Sequence, residues 1–280
     1  MPNPKRQFDK THLSIDLAEE RGIVHRDYIK HCLAWSHVAM RLRSCYKTAK
    51  ILDIGCGKDV PLARTLYSNK MIPERYVGVD LNKLELPKML EGKKMPVELH
   101  SGNFLEMEFD FTPDVIVSFE VAEHMAPRHC RAYLEKIWSL LEDESMAIIS
   151  TPCFNGSAAL NHINEMTYTA LGALLEDIGF GIEDHYGTFA SIKDYKHLIE
   201  HAGLAETFER LRGYYDTNFL SVIFAPLFPE ASRNCLWVLR KTRTAERKFP
   251  ELAKVQEPWS SSPEYGDLDK KAIGYTGGKL

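Results

Sequence analysis

The sequence predicts an α/β fold: a mostly parallel sheet with helices on both faces. Three observations carry this. Between residues 50 and 150, short apolar runs rich in β-branched residues alternate with helical patterns, the order that builds parallel sheets. The first run, Lys50-Ile-Leu-Asp-Ile54, stops at Gly55-Cys-Gly57, after which Pro61-Leu-Ala-Arg-Thr-Leu66 opens a helix. The second run, Tyr76-Val-Gly-Val-Asp80, ends on a carboxylate 23 residues after Gly57.

The elements follow in order. Ahead of the first strand, Asp16-Leu-Ala-Glu-Glu20 reads as a helix start and Asp27 to Leu42 as a longer helix. In that helix Ile29, Cys32, Leu33, Trp35, Ala39, Met40 and Leu42 fall at mixed three- and four-residue spacing, so one face is apolar and packs on the sheet edge. After strands 50–54 and 76–80 come Val97–His100, Pro113–Phe119 and Met146–Thr151. A helix is expected over Arg128–Leu141. Thr167 is placed to cap another over Tyr168–Ile178, which Gly179 ends. Phe180 to Phe189 and Cys235 to Arg240 read as two final strands. Between them lies a helical insert, about 190–233, either a second small core or a cap over substrate.

Ligands of open α/β sheets sit at the carboxyl ends of the strands, and the polar residues gather there. Gly55-Cys-Gly57 bares backbone N–H groups to an adenosine-bearing ligand, and Asp80 stands where an acid grips both ribose hydroxyls. The dinucleotide fingerprint requires a third glycine at Val60, so a pyrophosphate has little to rest on. Gly102-Asn103 follows the third strand, Glu120-Val-Ala-Glu-His124 the fourth, and His162, Asn164 and Glu165 bunch after the fifth. His124, Glu120 and Glu123 are candidate proton acceptors. The plainer alternative for Glu123 and His124 is capping of the next helix.

Together, Asp53-Ile-Gly-Cys-Gly57, Asp80, Asn103 and Glu120-Val-Ala-Glu-His124 resemble the motifs of class I S-adenosylmethionine-dependent methyltransferases, in order and spacing. Asp59 departs from the pattern, standing where that family usually has a third glycine. The resemblance implies a Rossmann-like sheet of seven strands with the last antiparallel, S-adenosylmethionine as cofactor and S-adenosylhomocysteine as product. It implies cofactor contacts from Asp53, Gly55, Gly57, Asp80, Leu81, Asn103, Phe104 and Glu120. It places His124, His162 and Glu120 at the chemistry and Asn164 and Glu165 at the acceptor. As in many members of that family, the N-terminal helix is a second-choice lid, which would bring Tyr28, His31, Trp35 and His37 over the pocket.

Around the fourth strand the sequence looks most like ubiquinone-biosynthesis and related small-molecule O- or N-methyltransferases. The Asp/Asn-Pro-Pro-Tyr/Phe motif of amino-DNA methyltransferases is absent, and Pro152-Cys153 follows the fifth strand rather than the fourth, where the cytosine C5 enzymes carry it. A small-molecule acceptor is therefore expected. The alternatives are a methyltransferase acting on a nucleotide or nucleic-acid base and a non-catalytic binding subunit of the same fold. A nicotinamide dehydrogenase is opposed by the missing glycine.

Composition agrees with this. At 280 residues, 44% hydrophobic and 26% charged, the chain can bury a sizeable core, and a net charge of -4 sets up no global attraction for polyanions. No apolar run reaches the roughly 20 residues that span a bilayer, and the N-terminus lacks the apolar core of a secretory signal. The six cysteines form no Cys-x-x-Cys pair, as expected of reduced thiols in the cytoplasm. No metal is expected: Glu123-His124 and His162-x-x-Glu165 would have to converge in space to make a ligand set. The domain plan is a helical extension or lid over 1–48, a methyltransferase domain over 49–240, and a partly disordered tail over 241–280. The oligomeric state is left open.

Overall fold

A computed structural model describes residues 26–255, apart from 157, 160, 161, 191 and 243–245. The helix expected from Asp16 and the tail beyond 255 lie outside the described residues. Seven strands form one sheet: β1 (Lys50–Ile54), β2 (Arg75–Asp80), β3 (Val97–Ser101), β4 (Val115–Phe119), β5 (Met146–Pro152), β6 (Gly181–Phe189) and β7 (Asn234–Arg240). Their spatial order is β3-β2-β1-β4-β5-β7-β6. β1 to β5 pair in parallel, and β7 runs antiparallel to both β5 and β6. The expected mixed sheet is present, and its order reverses at β1, which opens the ligand crevice at the carboxyl ends of β1 and β4.

The central strands are apolar on both faces because helices cover both. Leu52, Ile54, Val77 and Ile116 pack with α3 (Pro127–Leu140) and α4 (Tyr168–Ile178). Ile51, Tyr76, Val115 and Val117 pack with α1 (Arg26–Leu42) and α2 (Pro61–Ser68) on the other face. Thr167 caps α4 as expected, its hydroxyl accepting from Ala170 N at 3.1 Å, and Gly179 ends the helix at φ 125°. α3 has Pro127 at its first turn and Ala126 at its cap, so neither Glu123 nor His124 caps it.

α1 is turned from the expected face. Ala34, Val38, Ala39 and Leu42 are buried, and Lys30 continues their stripe, whereas Leu33 and Met40 are exposed. The insert supplies α5 (Ile192–His201), α6 (Ala205–Arg212) and α7 (Thr217–Ile223). Ile199, Phe208, Leu220, Phe224 and Phe228 give it a core of its own. The tail also departs from expectation: Phe249, Leu252 and Val255 are buried in the main core. Phe249 nests over Gly172 of α4, where a side chain would strike its ring at 2.5 Å, and stands 5.2 Å from the Tyr168 ring.

Candidate active site

The β1–β2 half of the crevice is shaped by backbone. Gly55 has φ +71°, and a Cβ there would collide with Val121 Cγ2. Gly57 has φ +68° but opens onto empty space. Such φ values are strained for any side chain. The N–H groups of Gly55 and Cys56 are both spent on Val79 O, at 2.7 and 3.1 Å. Asp80 accepts from Gly57 N at 3.1 Å and from Asn82 N at 2.8 Å, so the acid at the tip of β2 also sets the loop. Beneath the loop lies Asp53, buried and bonded by the Tyr76 hydroxyl. Burial pushes its carboxyl up to about 7 against the Tyr76 bond, with Asp80 adding to the rise.

The β4–β5 half is shaped by side chains. Glu120 sits at the tip of β4 with φ +58°, a conformation costing a non-glycine residue about 1 kcal/mol. Four contacts hold its carboxylate: Lys30 Nζ at 2.8 Å, Ser150 Oγ at 2.8 Å, and Asn234 Nδ2 at 2.8 and 3.0 Å. Burial alone would raise its pKa. The charges of Lys30 and His31, with the bonds from Lys30 and Asn234, outweigh burial and hold it at about 2. This buried pair pins α1 across the strand ends.

Next along the chain, Glu123 is fully buried. Burial and the neighbouring Glu120 charge push its carboxyl well above the usual range. One oxygen accepts from Thr151 Oγ1 at 3.3 Å. The other, Oε1, has no hydrogen-bond partner and lies 3.8 Å from His124 Nε2. The His124 and His162 rings meet edge to face, with centroids 5.0 Å apart. Glu165 bonds His162 Nδ1 and fixes that ring. The convergence that the sequence could not show is present: one atom each from Glu123, His124 and His162 lies within 4.8 Å of the others. Beside them a cavity of about 230 Å³ is lined by Pro152, Cys153, Asn155, Ala159, Glu165 and Arg233.

Residues 26–207 match the model of a protein family described as the methyltransferase domain. The chain belongs to that family. No curated protein matches it by sequence. The fold of this methyltransferase is similar to that of an O-methyltransferase from a polyketide multienzyme of Brevibacillus brevis, solved with S-adenosylhomocysteine. That pair has a TM-score of 0.53 and 17% identity, over 86% of this chain and 81% of the other. It is similar also to 1,6-didemethyltoxoflavin-N1-methyltransferase of Burkholderia thailandensis, with a TM-score of 0.51 and 17% identity, over 86% and 92% of the two chains. The cyclase SpnF aligns at a TM-score of 0.51 and 14% identity, over 75% and 80%. Fold alone therefore does not fix the reaction.

S-adenosylmethionine is the cofactor of the methyltransferase domain, and the residues present fit it. The backbone N–H groups of Gly55-Cys-Gly57, expected to be bare toward the ligand, are instead spent on Val79 O and Asp80, which leaves the loop suited to a ligand without phosphate. Gly57 leaves open space beside it, and Asp80 offers the ribose a carboxylate at the crevice. Leu81 is exposed at the same edge. Asn103 caps the turn after β3, accepting from Leu105 N at 3.1 Å and donating to Glu106 at 2.9 Å.

Several expected contacts need correction. Phe104 does not face a ligand: its ring is buried 5.3 Å from that of Tyr133, with Lys136 Nζ 5.1 Å away over its face. Asp53 lies under the loop rather than in the opening. Glu120 is no general base, since a carboxylate held at about 2 takes no proton at neutral pH. Asn164 is buried beside Cys130, with neither atom of its side-chain amide hydrogen-bonded. His37 belongs to the far side of α1, 5.1 Å from the Tyr186 ring. Tyr28 and Trp35 are half-buried on α1, Tyr28 against Cys32 and Trp35 5.7 Å from the His31 ring. Sequence reasoning missed Lys30, Ser150 and Asn234. The available signal was Lys30 itself, a charge in register with an apolar stripe.

Proposed function

We propose that this protein transfers a methyl group from S-adenosylmethionine to an oxygen or nitrogen of a small-molecule acceptor. The observation that carries the acceptor class is the cavity of about 230 Å³ walled by Glu165, Asn155 and Arg233 beside the paired rings of His124 and His162. It falls below the usual range for drug-sized ligands, roughly 300–1,000 Å³. Net charge of -4 supports a metabolite over a polyanion.

When bound, S-adenosylmethionine supplies a methyl group already made electrophilic by its sulfonium. The chain contributes alignment and proton removal. Asp80 and the open backbone at Gly57 hold the adenosine end, and Gly55 sets the loop that presents them. The Lys30–Glu120–Asn234 network seats α1 as a roof that excludes water from the strand ends. Glu165 holds Nδ1 of His162 and leaves Nε2 to take a proton from the acceptor. His124 backs that ring edge to face.

Calorimetry with S-adenosylhomocysteine tests the first step. Wild type should bind it, and Asp80→Ala should lose at least tenfold, about 1.4 kcal/mol. His162→Ala should keep that binding and lose roughly 100-fold or more in turnover on screened acceptors. Absence of binding by the wild type would overturn the proposal.

A further inference from the structure

One buried feature is left unexplained by proton transfer alone. Oε1 of Glu123 is fully enclosed, has no hydrogen-bond partner, and faces His124 Nε2 at 3.8 Å. A buried polar atom without a partner costs about 1–3 kcal/mol, so such an atom calls for a ligand or an ion. Two imidazoles stand beside it, and their nitrogens and the carboxylate oxygen lie within 4.8 Å of one another.

We infer that Glu123, His124 and His162 form a binding site for one divalent first-row transition-metal ion. The inference rests on the methyltransferase reading only for what the ion would do. Two imidazoles and one carboxylate suit zinc, iron, cobalt or manganese, and leave a coordination position open. Ligand atoms around a zinc ion stand about 3.5 Å apart, given bonds of about 2.0–2.2 Å. The set therefore closes by about an ångström at its widest. His124 is at the surface, whereas Glu123 is held by packing. The His162–Glu165 bond is the outer support that metal-bound histidines commonly have: it fixes the tautomer, turns Nε2 toward the ion and raises its basicity. His162 Nδ1 is thereby spent, and Nε2 is the ligand atom.

Glu165, which holds His162, also lines the acceptor cavity, and an acceptor entering from there would take the open position. An ion there takes an oxygen of the acceptor and lowers the pKa of its hydroxyl. That changes the part of the two rings from proton acceptors to ligands and narrows the acceptor to a hydroxyl compound. The hydroxyl proton leaves to water. The oxygen forms its bond to the methyl carbon as the carbon–sulfur bond breaks, with that electron pair going to sulfur.

The test uses the whole protein, stripped with EDTA, desalted and titrated with Co²⁺ and with Zn²⁺, with Mg²⁺ as comparison. One Co²⁺ per chain should give visible d–d absorption that Zn²⁺ bleaches, with Mg²⁺ far weaker. His124→Ala, His162→Ala and Glu123→Gln should each weaken Zn²⁺ binding at least tenfold, and Glu165→Gln 10–100-fold by freeing the His162 ring. S-adenosylhomocysteine titration of each variant reports that it is folded. Absence of cobalt absorption and zinc heat in a wild type that binds S-adenosylhomocysteine would overturn the metal site and leave the proton-acceptor mechanism in place. Undiminished Zn²⁺ binding by the His124→Ala/His162→Ala double variant would overturn it as well. A wild type that binds neither ligand would take down the methyltransferase reading too.

Discussion

The two halves of the sheet's carboxyl edge are built by different means. On the β1–β2 side the work is done by backbone: two glycines at positive φ, spent N–H groups and one carboxylate at the tip of the neighbouring strand. On the β4–β5–β7 side it is done by side chains that meet only after folding, from Lys30, Glu120, Ser150 and Asn234 to Glu123, His124 and His162. The first kind of site is specified within some thirty consecutive residues; the second is specified by topology. The first is sensitive to a side chain added at its tightest bend, Gly55, and the second to loss of the groups that bind the buried Glu120 carboxylate.

The largest effect should come from the loop. Gly55→Ala combines the positive-φ penalty with a collision against Val121, and should cost about 3–5 kcal/mol in thermal or urea unfolding. Gly57→Ala bears only the φ penalty, about 1 kcal/mol, because nothing lies within 4 Å of its added carbon. On the proposed cofactor site it should nevertheless weaken S-adenosylhomocysteine at least tenfold, since a side chain there would enter the space left for the adenosine. Equal stability losses at the two positions would break the distinction between a glycine kept for packing and one kept for ligand.

On the other half, Glu120→Gln removes the buried carboxylate that Lys30 Nζ and Asn234 Nδ2 both bind and should cost about 3 kcal/mol. Adding Lys30→Met should recover part of the loss, and a double-mutant cycle reads the coupling. Additive losses would mean that the pair does not hold α1 down.

The halves should also oppose each other in pH. Glu120 has its folded pKa depressed to about 2, so its contribution is present above the unfolded value near 4.3 and is lost as pH falls toward 2. Asp53 is raised to about 7, so its contribution is complete below the unfolded value near 3.9 and is lost as pH rises through 7. Asp53→Asn should therefore flatten the stability profile between pH 4 and 7 by a few kcal/mol, while Glu120→Gln flattens it only below about 4.5. Urea midpoints across that range check both signs.

This contrast also explains what could be read in advance. Gly55, Gly57 and Asp80 announce themselves because a strand, a bend and an acid at fixed separation have one geometric use. Thr167 and Gly179 were legible for the same local reason. Phe104 was misplaced because an aromatic after a turn is equally suited to ligand and to core, and only the position of Tyr133 decides. Glu120 looked like a base because its neutralising Lys30 is 90 residues away. Phe249 looked like part of a loose tail because its partners, Gly172 and Tyr168, belong to a helix formed far earlier in the chain.

The smallest effects separate the two faces of α1, where periodicity misled. Lys30, Ala34, Val38 and Leu42 repeat every four residues and are buried, but the charge at Lys30 disguises the stripe. The stem of a lysine packs well along apolar surface while its ammonium finds a carboxylate, so the stripe continues through it. Val38→Ala should then cost about 2 kcal/mol, as expected for methyl groups lost from a closed core, while Met40→Ser should stay within about 0.5 kcal/mol. The reverse ranking in urea unfolding would turn the helix by roughly half a turn. It would also withdraw Lys30 from Glu120 and remove the roof over the strand ends.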